Sequence, residues 1–267
     1  MANNTPIVQI ENLAVRFTAQ NRTVEALRGI SFEIYTDEIL GVVGESGSGK
    51  SVTGLYMMGL LPANAEVVSG SMQPESNVHS SMIFQYPRTA LNPIRKAGQQ
   101  ICDVLQVVHA ASSRKPGRKE LKQEALHWLE VVKIRDPESC YNAFPFQLSG
   151  GMCQRLLIAM ALSHHPRMLI ADEPTTALDV VTQKVIMQLL LDLKSQYSIS
   201  VMFITHDLAL AYQYCKRLIV MENGRIVETG DRSRILQSPQ QEYTRRLVAS
   251  SPAFMKTPQD LLKVEQL

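Results

Sequence analysis

The stretch Gly44-Glu-Ser-Gly-Ser-Gly49-Lys50-Ser51 decides the fold of this chain. It fits the pattern G-x-x-x-x-G-K-[ST], between the apolar run 39–43 and a region that favours a helix up to Leu61. Glycines allow backbone N–H groups to curl around phosphate oxygens, and a helix N-terminus adds unsatisfied donors. The lysine supplies a positive charge for the β- and γ-phosphates, and the serine supplies a hydroxyl for Mg²⁺. The stretch therefore predicts a binding loop for a nucleoside triphosphate.

A second motif, residues 167–179, reads RMLIADEPTTALD. Its apolar run predicts a strand that ends at Asp172 and brings this carboxylate to the C-terminal edge of a sheet, where it can hold Mg²⁺. Glu173 follows at once and can act as a general base on the attacking water. An isolated Asp-Glu pair after a strand usually begins a solvated loop. The phosphate loop earlier in the chain favours the catalytic interpretation here.

The order of the remaining patterns predicts an α/β fold. Strand-like runs fill the first third, helical periodicity covers residues 91–162, and alternating strands and helices return in the last third. This order favours a largely parallel sheet with a helical insertion. Asn223-Gly224 predicts a hairpin turn. The basic stretch 112–120 is expected to be a solvated loop between two helices, with contact to anionic lipid or nucleic acid as the alternative.

Composition and charge exclude several classes of protein. The chain has 267 residues, of which 45% are hydrophobic and 19% are charged, so it is neither disordered nor a disulfide-rich miniprotein. A net charge of +2 gives no general case for binding nucleic acid. The four cysteines form no CxxC pair, which favours a reducing compartment over a zinc site or a disulfide framework. We expect no signal peptide, and no apolar run approaches the ~20 residues of a membrane span.

A third motif, Leu148-Ser149-Gly150-Gly151, precedes an apolar helix, and its serine is a natural N-cap. With this motif the chain resembles the ATP-binding subunits of ABC transporters over residues 7–250. The resemblance implies a P-loop NTPase (RecA-like) core with a largely parallel sheet, an N-terminal antiparallel β-subdomain and an inserted α-helical subdomain. The implied divisions of this single domain are a core lobe of residues 7–87 and 165–235, a helical lobe of residues 88–164, and a polar tail of residues 251–267.

The resemblance also implies roles for individual residues. Phe17 looks like the aromatic residue that stacks on adenine, and Gln85 looks like the glutamine that reaches Mg²⁺ and the attacking water. His206 looks like the switch histidine at the γ-phosphate, and Glu173 like the catalytic base. The expected nucleotide contacts are Phe17, Gly44, Glu45, Ser46, Gly47, Ser48, Gly49, Lys50, Ser51 and Val52, with Ser149, Gly150, Gly151 and Asp179 completing a partner's site. The expected Mg²⁺ ligands are Ser51, Gln85 and Asp172. The other five histidines are expected at the surface.

The implied function is hydrolysis of ATP, with Mg²⁺, by an importer subunit at the cytoplasmic face of the inner (plasma) membrane. The implied partners are two transmembrane permeases, a second and non-identical ATP-binding subunit, and indirectly a periplasmic or extracellular substrate-binding protein, but no nucleic acid. Runs such as EYTRRLVAS resemble the dipeptide/oligopeptide/nickel importer group. A short C-terminus without cysteine favours nickel or a metal chelate as cargo, with peptides as the alternative. A soluble nucleic-acid-associated ABC ATPase, an exporter subunit and a small-molecule kinase are the remaining alternatives.

Overall fold

The computed structural model describes residues 6–19, 22–74, 79–176 and 178–251. In these ranges, no helix has the length and apolar character needed to cross a membrane. The chain divides into two compact units, a first unit of Met1–Val78 with Ser200–Leu267 and a second unit of His79–Ile199. The lobe boundaries given above stay a prediction, and the tail beyond Ser251 lies outside the described residues.

Strands and helices alternate along much of the described chain. The strands are β1 (Pro6–Ala19), β2 (Arg22–Tyr35), β3 (Ile39–Val43), β4 (Ala65–Gln73), β5 (Ser80–Ile83), β6 (Met168–Asp172), β7 (Ser200–Thr205), β8 (Arg217–Glu222) and β9 (Arg225–Asp231). The α-helices are α1 (Lys50–Met57), α2 (Pro87–Ala90), α3 (Ala97–Ala111), α4 (Arg118–Val131), α5 (Pro137–Asn142), α6 (Gly150–Leu162), α7 (Val180–Tyr197), α8 (Leu208–Tyr214), α9 (Arg232–Gln237) and α10 (Glu242–Ser250).

The first unit contains two sheet regions. An antiparallel sheet has the order β2-β1-β4, as predicted for the N-terminal part. In the other region β3 lies between β7 and β8, parallel to both, and β9 pairs antiparallel with β8. Because parallel strands are covered on both faces, β3 and β7 are largely apolar along their length, and β3 begins and ends where the sequence predicted.

Two local features of the first unit differ from the sequence prediction. The strand β4 was not predicted, because most of its residues are exposed and it is held by pairing with β1 rather than by an apolar face. The helix α1 ends at Met57 instead of Leu61, because Gly59 adopts a left-handed φ of +67° that a helix cannot continue through.

The second unit contains the parallel pair β5 and β6 and the helices α2 to α7. The predicted helical region is confirmed, and Leu105, Leu129 and Leu156 are fully buried within it. The basic stretch lies largely in the connection between Ala111, where α3 ends, and Arg118, where α4 begins. The prediction of a loop between two helices is therefore confirmed.

One prediction about the histidines is wrong. His109 is only 9% exposed, and its Nε2 lies 2.7 Å from Oε2 of Glu124. The packing of α3 against α4 buries the ring, and the carboxylate satisfies its nitrogen. Among the described residues all four cysteines are free, and no group of three or more His, Cys, Asp or Glu side chains could hold a metal ion.

Candidate active site

The phosphate loop connects the end of β3 at Val43 to the start of α1 at Lys50, in the strand–loop–helix order predicted. Gly49 has a left-handed φ of +103°, and a Cβ there would lie 2.7 Å from Cδ2 of Leu27 and 2.8 Å from the carbonyl oxygen of Ala26. A side chain at this position is therefore excluded both by the backbone and by β2. Backbone N–H groups of such a glycine-rich loop are the donors that bind phosphate oxygens.

Lys50 lies across the base of this loop. The side chain is 4% exposed, and Nζ donates to the carbonyl oxygens of Gly44 and Glu45, each at 2.8 Å, and to Oγ of Ser48 at 3.3 Å. A charge-assisted bond from an ammonium group to a phosphate oxygen is about twice as strong as a bond between neutral groups.

Two residues that sequence analysis did not assign hold the loop from outside. The N–H group of Gly224, in the predicted hairpin turn, donates to the carbonyl oxygen of Ser48 at 3.1 Å. The hydroxyl oxygen of Tyr243, on α10, accepts a hydrogen bond from the N–H group of Glu45 at 3.0 Å. Tyr243 lies 198 positions from Glu45, so no local pattern could have revealed this contact.

His206 lies at the same edge of the sheet as the phosphate loop. In the parallel pair β3–β7, Val43 is opposite Thr205, and each of these residues ends its strand. The phosphate loop follows Val43 directly, and His206 follows Thr205 directly. Ligands of open α/β sheets bind at this carboxyl edge. Phe17, also in the first unit, is half-buried on β1 opposite Val24.

The acidic motif lies in the second unit. Asp172 ends β6, and Asp172 and Glu173 are only 6% and 8% exposed. Oε2 of Glu173 accepts one hydrogen bond from Nε2 of Gln85 and another from Oγ1 of Thr176, both at 2.7 Å. Glu173 has a left-handed φ of +45°, a conformation that costs a non-glycine residue about 1–2 kcal/mol. Strain of this kind clusters at functional sites. Sequence analysis did not assign Thr176.

The predicted Mg²⁺ ligands supply a hydroxyl, an amide and a carboxylate from Ser51, Gln85 and Asp172. Such hard oxygen donors suit Mg²⁺, which usually keeps several waters and binds one or two carboxylates together with substrate phosphates. Each of these three donor types therefore fits Mg²⁺.

The remaining predicted residues begin two helices of the second unit. Oγ of Ser149 accepts a hydrogen bond from the N–H group of Met152 at 3.2 Å, which caps α6. The carboxylate of Asp179 caps α7 by accepting from the N–H group and from the hydroxyl of Thr182, at 2.9 and 2.7 Å. These hydrogen bonds lower the pKa of Asp179, so its carboxylate is ionised at neutral pH.

A family model described as ABC transporter matches residues 27–176, which is more than half of the chain. The chain belongs to the ABC transporter family. It is an ABC-type ATPase, as predicted. The matched range contains the phosphate loop, Gln85, Ser149 and the acidic pair.

Two relatives are similar over most of the chain. The dipeptide transport ATP-binding protein DppD of Haemophilus influenzae is 41% identical over 263 residues, covering 93% of this chain and 78% of its own. The peptidoglycan transport ATP-binding protein YejF of Agrobacterium fabrum is 41% identical over 266 residues, covering 94% of this chain. The chain spans only 48% of that relative's length.

A solved structure supports the fold. The ATP-binding cassette MJ0796, in a dimeric post-hydrolysis state bound to ADP and phosphate, superposes with a TM-score of 0.70 at 27% identity. The match covers 84% of this chain and 98% of that one. The predicted P-loop NTPase fold, with a parallel sheet and an N-terminal antiparallel sheet, is confirmed.

Proposed function

We propose that this ABC ATPase energises the import of peptides or peptide-containing compounds. The proposed cargo is supported by two relatives, each 41% identical, that are named for dipeptide and peptidoglycan transport. The prediction of nickel or a metal chelate has no such support, and the peptide alternative is favoured. Because the permeases and the binding protein select the cargo in such systems, the proposal concerns the complex in which this chain works.

The geometry within each unit supports different roles for different residues in ATP hydrolysis. The loop amides and Lys50 bind the phosphates of ATP, and Phe17 stacks on the adenine. Ser51 and Asp172 would hold Mg²⁺, with Gln85 as a further ligand, and this ion would supply positive charge beside the phosphates. Glu173 accepts the proton of the attacking water, a contribution of typically ~10²–10⁴-fold.

Gln85 and His206 have supporting roles in this proposal. The bond from Gln85 to Glu173 orients the carboxylate toward the water, and His206 contacts the γ-phosphate from the end of β7. Ser149, Gly150, Gly151 and Asp179 complete the site of a second, non-identical ATP-binding subunit.

The proposed setting is a peripheral complex at the cytoplasmic face of the inner membrane. It contains two permease subunits and receives cargo from a substrate-binding protein. In this proposal residues 7–250 form one ATP-binding domain with the core and helical lobes predicted from the sequence. The dimeric state of MJ0796 supports the pairing of two cassettes.

The test is reconstitution of the complex in proteoliposomes, with ATP inside and binding protein outside. We expect binding protein loaded with dipeptide to stimulate ATP hydrolysis and uptake, whereas Ni²⁺ does not. The matched control carries Lys50→Ala in this chain only. Stimulation by Ni²⁺ or its chelate, with no response to peptides, would overturn the proposed cargo and restore the nickel prediction.

A further inference from the structure

The C-terminal helix α10 reaches the phosphate loop through one hydroxyl group. Tyr243 is only 7% exposed, and its hydroxyl oxygen accepts the Glu45 N–H group at 3.0 Å. Burial raises the pKa of Tyr243, so the phenol stays neutral at physiological pH and its oxygen remains a hydrogen-bond acceptor. The contact joins a side chain of α10 to the backbone of the loop itself.

Tyr243 is held in place from the β8–β9 hairpin. The carboxylate of Glu228, on β9, accepts hydrogen bonds from the N–H groups of Gln240 and Gln241 at 2.9 and 3.1 Å, directly before α10. Arg246 lies 3.5 Å from the Glu222 carboxylate at the end of β8, with its guanidinium 6.0 Å from the Tyr243 ring. The hydroxyl is therefore presented to the loop by a fixed helix start.

The other end of α10 borders the switch histidine. Leu247, Ser250 and Ser251 line a cleft of about 280 Å³ together with His206 and its two following residues. All of these residues belong to the first unit. One helix thus contacts the phosphate loop at its first turn and faces His206 at its last turn.

We propose that the Tyr243 hydroxyl is a positioning group for the phosphate-binding loop. Binding of phosphate needs the loop amides held toward the ligand before it arrives. The bond to Tyr243 ties the Glu45 N–H group to α10 and fixes the turn that follows Gly44, so that the other loop amides keep their positions. Without the hydroxyl, the Glu45 N–H group loses its partner, and the loop populates other conformations. ATP binding must then order the loop, which weakens the affinity for ATP. The proposal concerns ATP binding and does not depend on the cargo.

The test compares Tyr243→Phe with Tyr212→Phe in the full chain. Tyr212, on α8, is also 7% exposed, so both variants remove a hydroxyl from an equally buried ring. We expect Tyr243→Phe to weaken ATP affinity roughly two- to tenfold by calorimetry, the range expected for one net hydrogen bond. In the assembled complex KM for ATP should rise by the same factor while kcat changes little. Hydrogen–deuterium exchange at the Glu45 amide should accelerate, and Tyr212→Phe should show none of these effects.

A merely structural role predicts a different pattern. Tyr243→Phe would then lower the melting temperature as Tyr212→Phe does, with ATP affinity and Glu45 exchange unchanged, and the proposal would be overturned. If Tyr243→Phe does not fold, Glu228→Gln loosens the anchor of α10 and leaves the Tyr243 ring intact. This variant must then weaken ATP affinity and speed Glu45 exchange, and wild-type values for both would overturn the proposal.

Discussion

Nε2 of Gln85 donates a hydrogen bond of 2.7 Å to Oε2 of Glu173, across 88 positions of sequence. The contact follows from the parallel pairing of β5 and β6, in which Ile83 is opposite Ala171. Gln85 lies two positions after Ile83, and Glu173 lies two positions after Ala171, so the register of the two strands places them side by side. A substitution at Gln85 therefore removes a hydrogen bond to the proposed catalytic base, Glu173.

Glu173→Gln should nearly abolish hydrolysis and keep ATP bound. The substitution is almost isosteric and retains an oxygen that can accept from Gln85 and Thr176, but it cannot take a proton from water. We expect kcat to fall by about 10²–10⁴-fold, which is roughly 3–5 kcal/mol of barrier. Single-turnover hydrolysis in the assembled complex measures this loss, and calorimetry measures retained affinity. Glu130→Gln, at an exposed position of α4, is the control. Near-normal turnover would show that Glu173 is not the base.

Thr176→Val should lower kcat without changing KM. The valine is similar in shape but removes the hydroxyl that donates to Glu173 at 2.7 Å, so the carboxylate loses one of the two bonds described here. We expect a decrease of roughly 10- to 150-fold, because a hydrogen bond to a charged group contributes about 1.5–3 kcal/mol. Steady-state kinetics separates kcat from KM. The control is Thr229→Val, which removes a hydroxyl bonded to the Leu218 carbonyl. A rise in KM alone would contradict the positioning role.

Lys50→Ala should abolish tight ATP binding. It removes the buried cation and also the three bonds that tie the loop to itself. We expect affinity to fall by at least tenfold, since even one charge-assisted hydrogen bond contributes about 1.5–3 kcal/mol. Calorimetric titration with ATP and Mg²⁺ provides the measurement, with the exposed Lys184→Ala as control. An unchanged dissociation constant would exclude Lys50 from the site.

Glu228→Gln should remove the pH dependence of the hydrogen bonds that Gln240 and Gln241 donate to residue 228 directly before α10. Burial acts to raise the pKa of Glu228, but the backbone N–H groups of Gln240 and Gln241 prevail and lower it. The folded-state pKa of Glu228 therefore lies below the unfolded value of about 4.3. The stabilisation by the ionised carboxylate is complete above about pH 4.3 and is lost as the pH falls through the folded-state pKa.

Urea unfolding between pH 7 and pH 3 tests this expectation. At pH 7 Glu228→Gln should lower the free energy of unfolding by about 1–2 kcal/mol, and the difference from wild type should shrink below pH 4. Glu242→Gln, at an exposed position on the first turn of α10, controls for charge alone. A constant difference across this range would show that the Glu228 carboxylate does not act through its charge.

The sequence by itself determined the local parts of this protein. The phosphate loop, the strand β3, the helical region and the hairpin turn at Asn223-Gly224 all follow from patterns within about a dozen consecutive residues. Glycine spacing, apolar runs and helical periodicity act over that range, so these patterns can be recognised without knowledge of tertiary contacts. The family followed from the order of these motifs.

Tertiary structure alone decided which distant groups meet. Strand register brings Gln85 to Glu173, and the packing of α10 brings Tyr243 to Glu45. The strand β4 forms because β1 offers it hydrogen-bonding partners, although its own residues bury little apolar surface. Thr176 could be named as a motif residue, but only the turn after β6 aims its hydroxyl at Glu173. These contacts depend on the positions of backbones far apart in sequence, which no local pattern encodes.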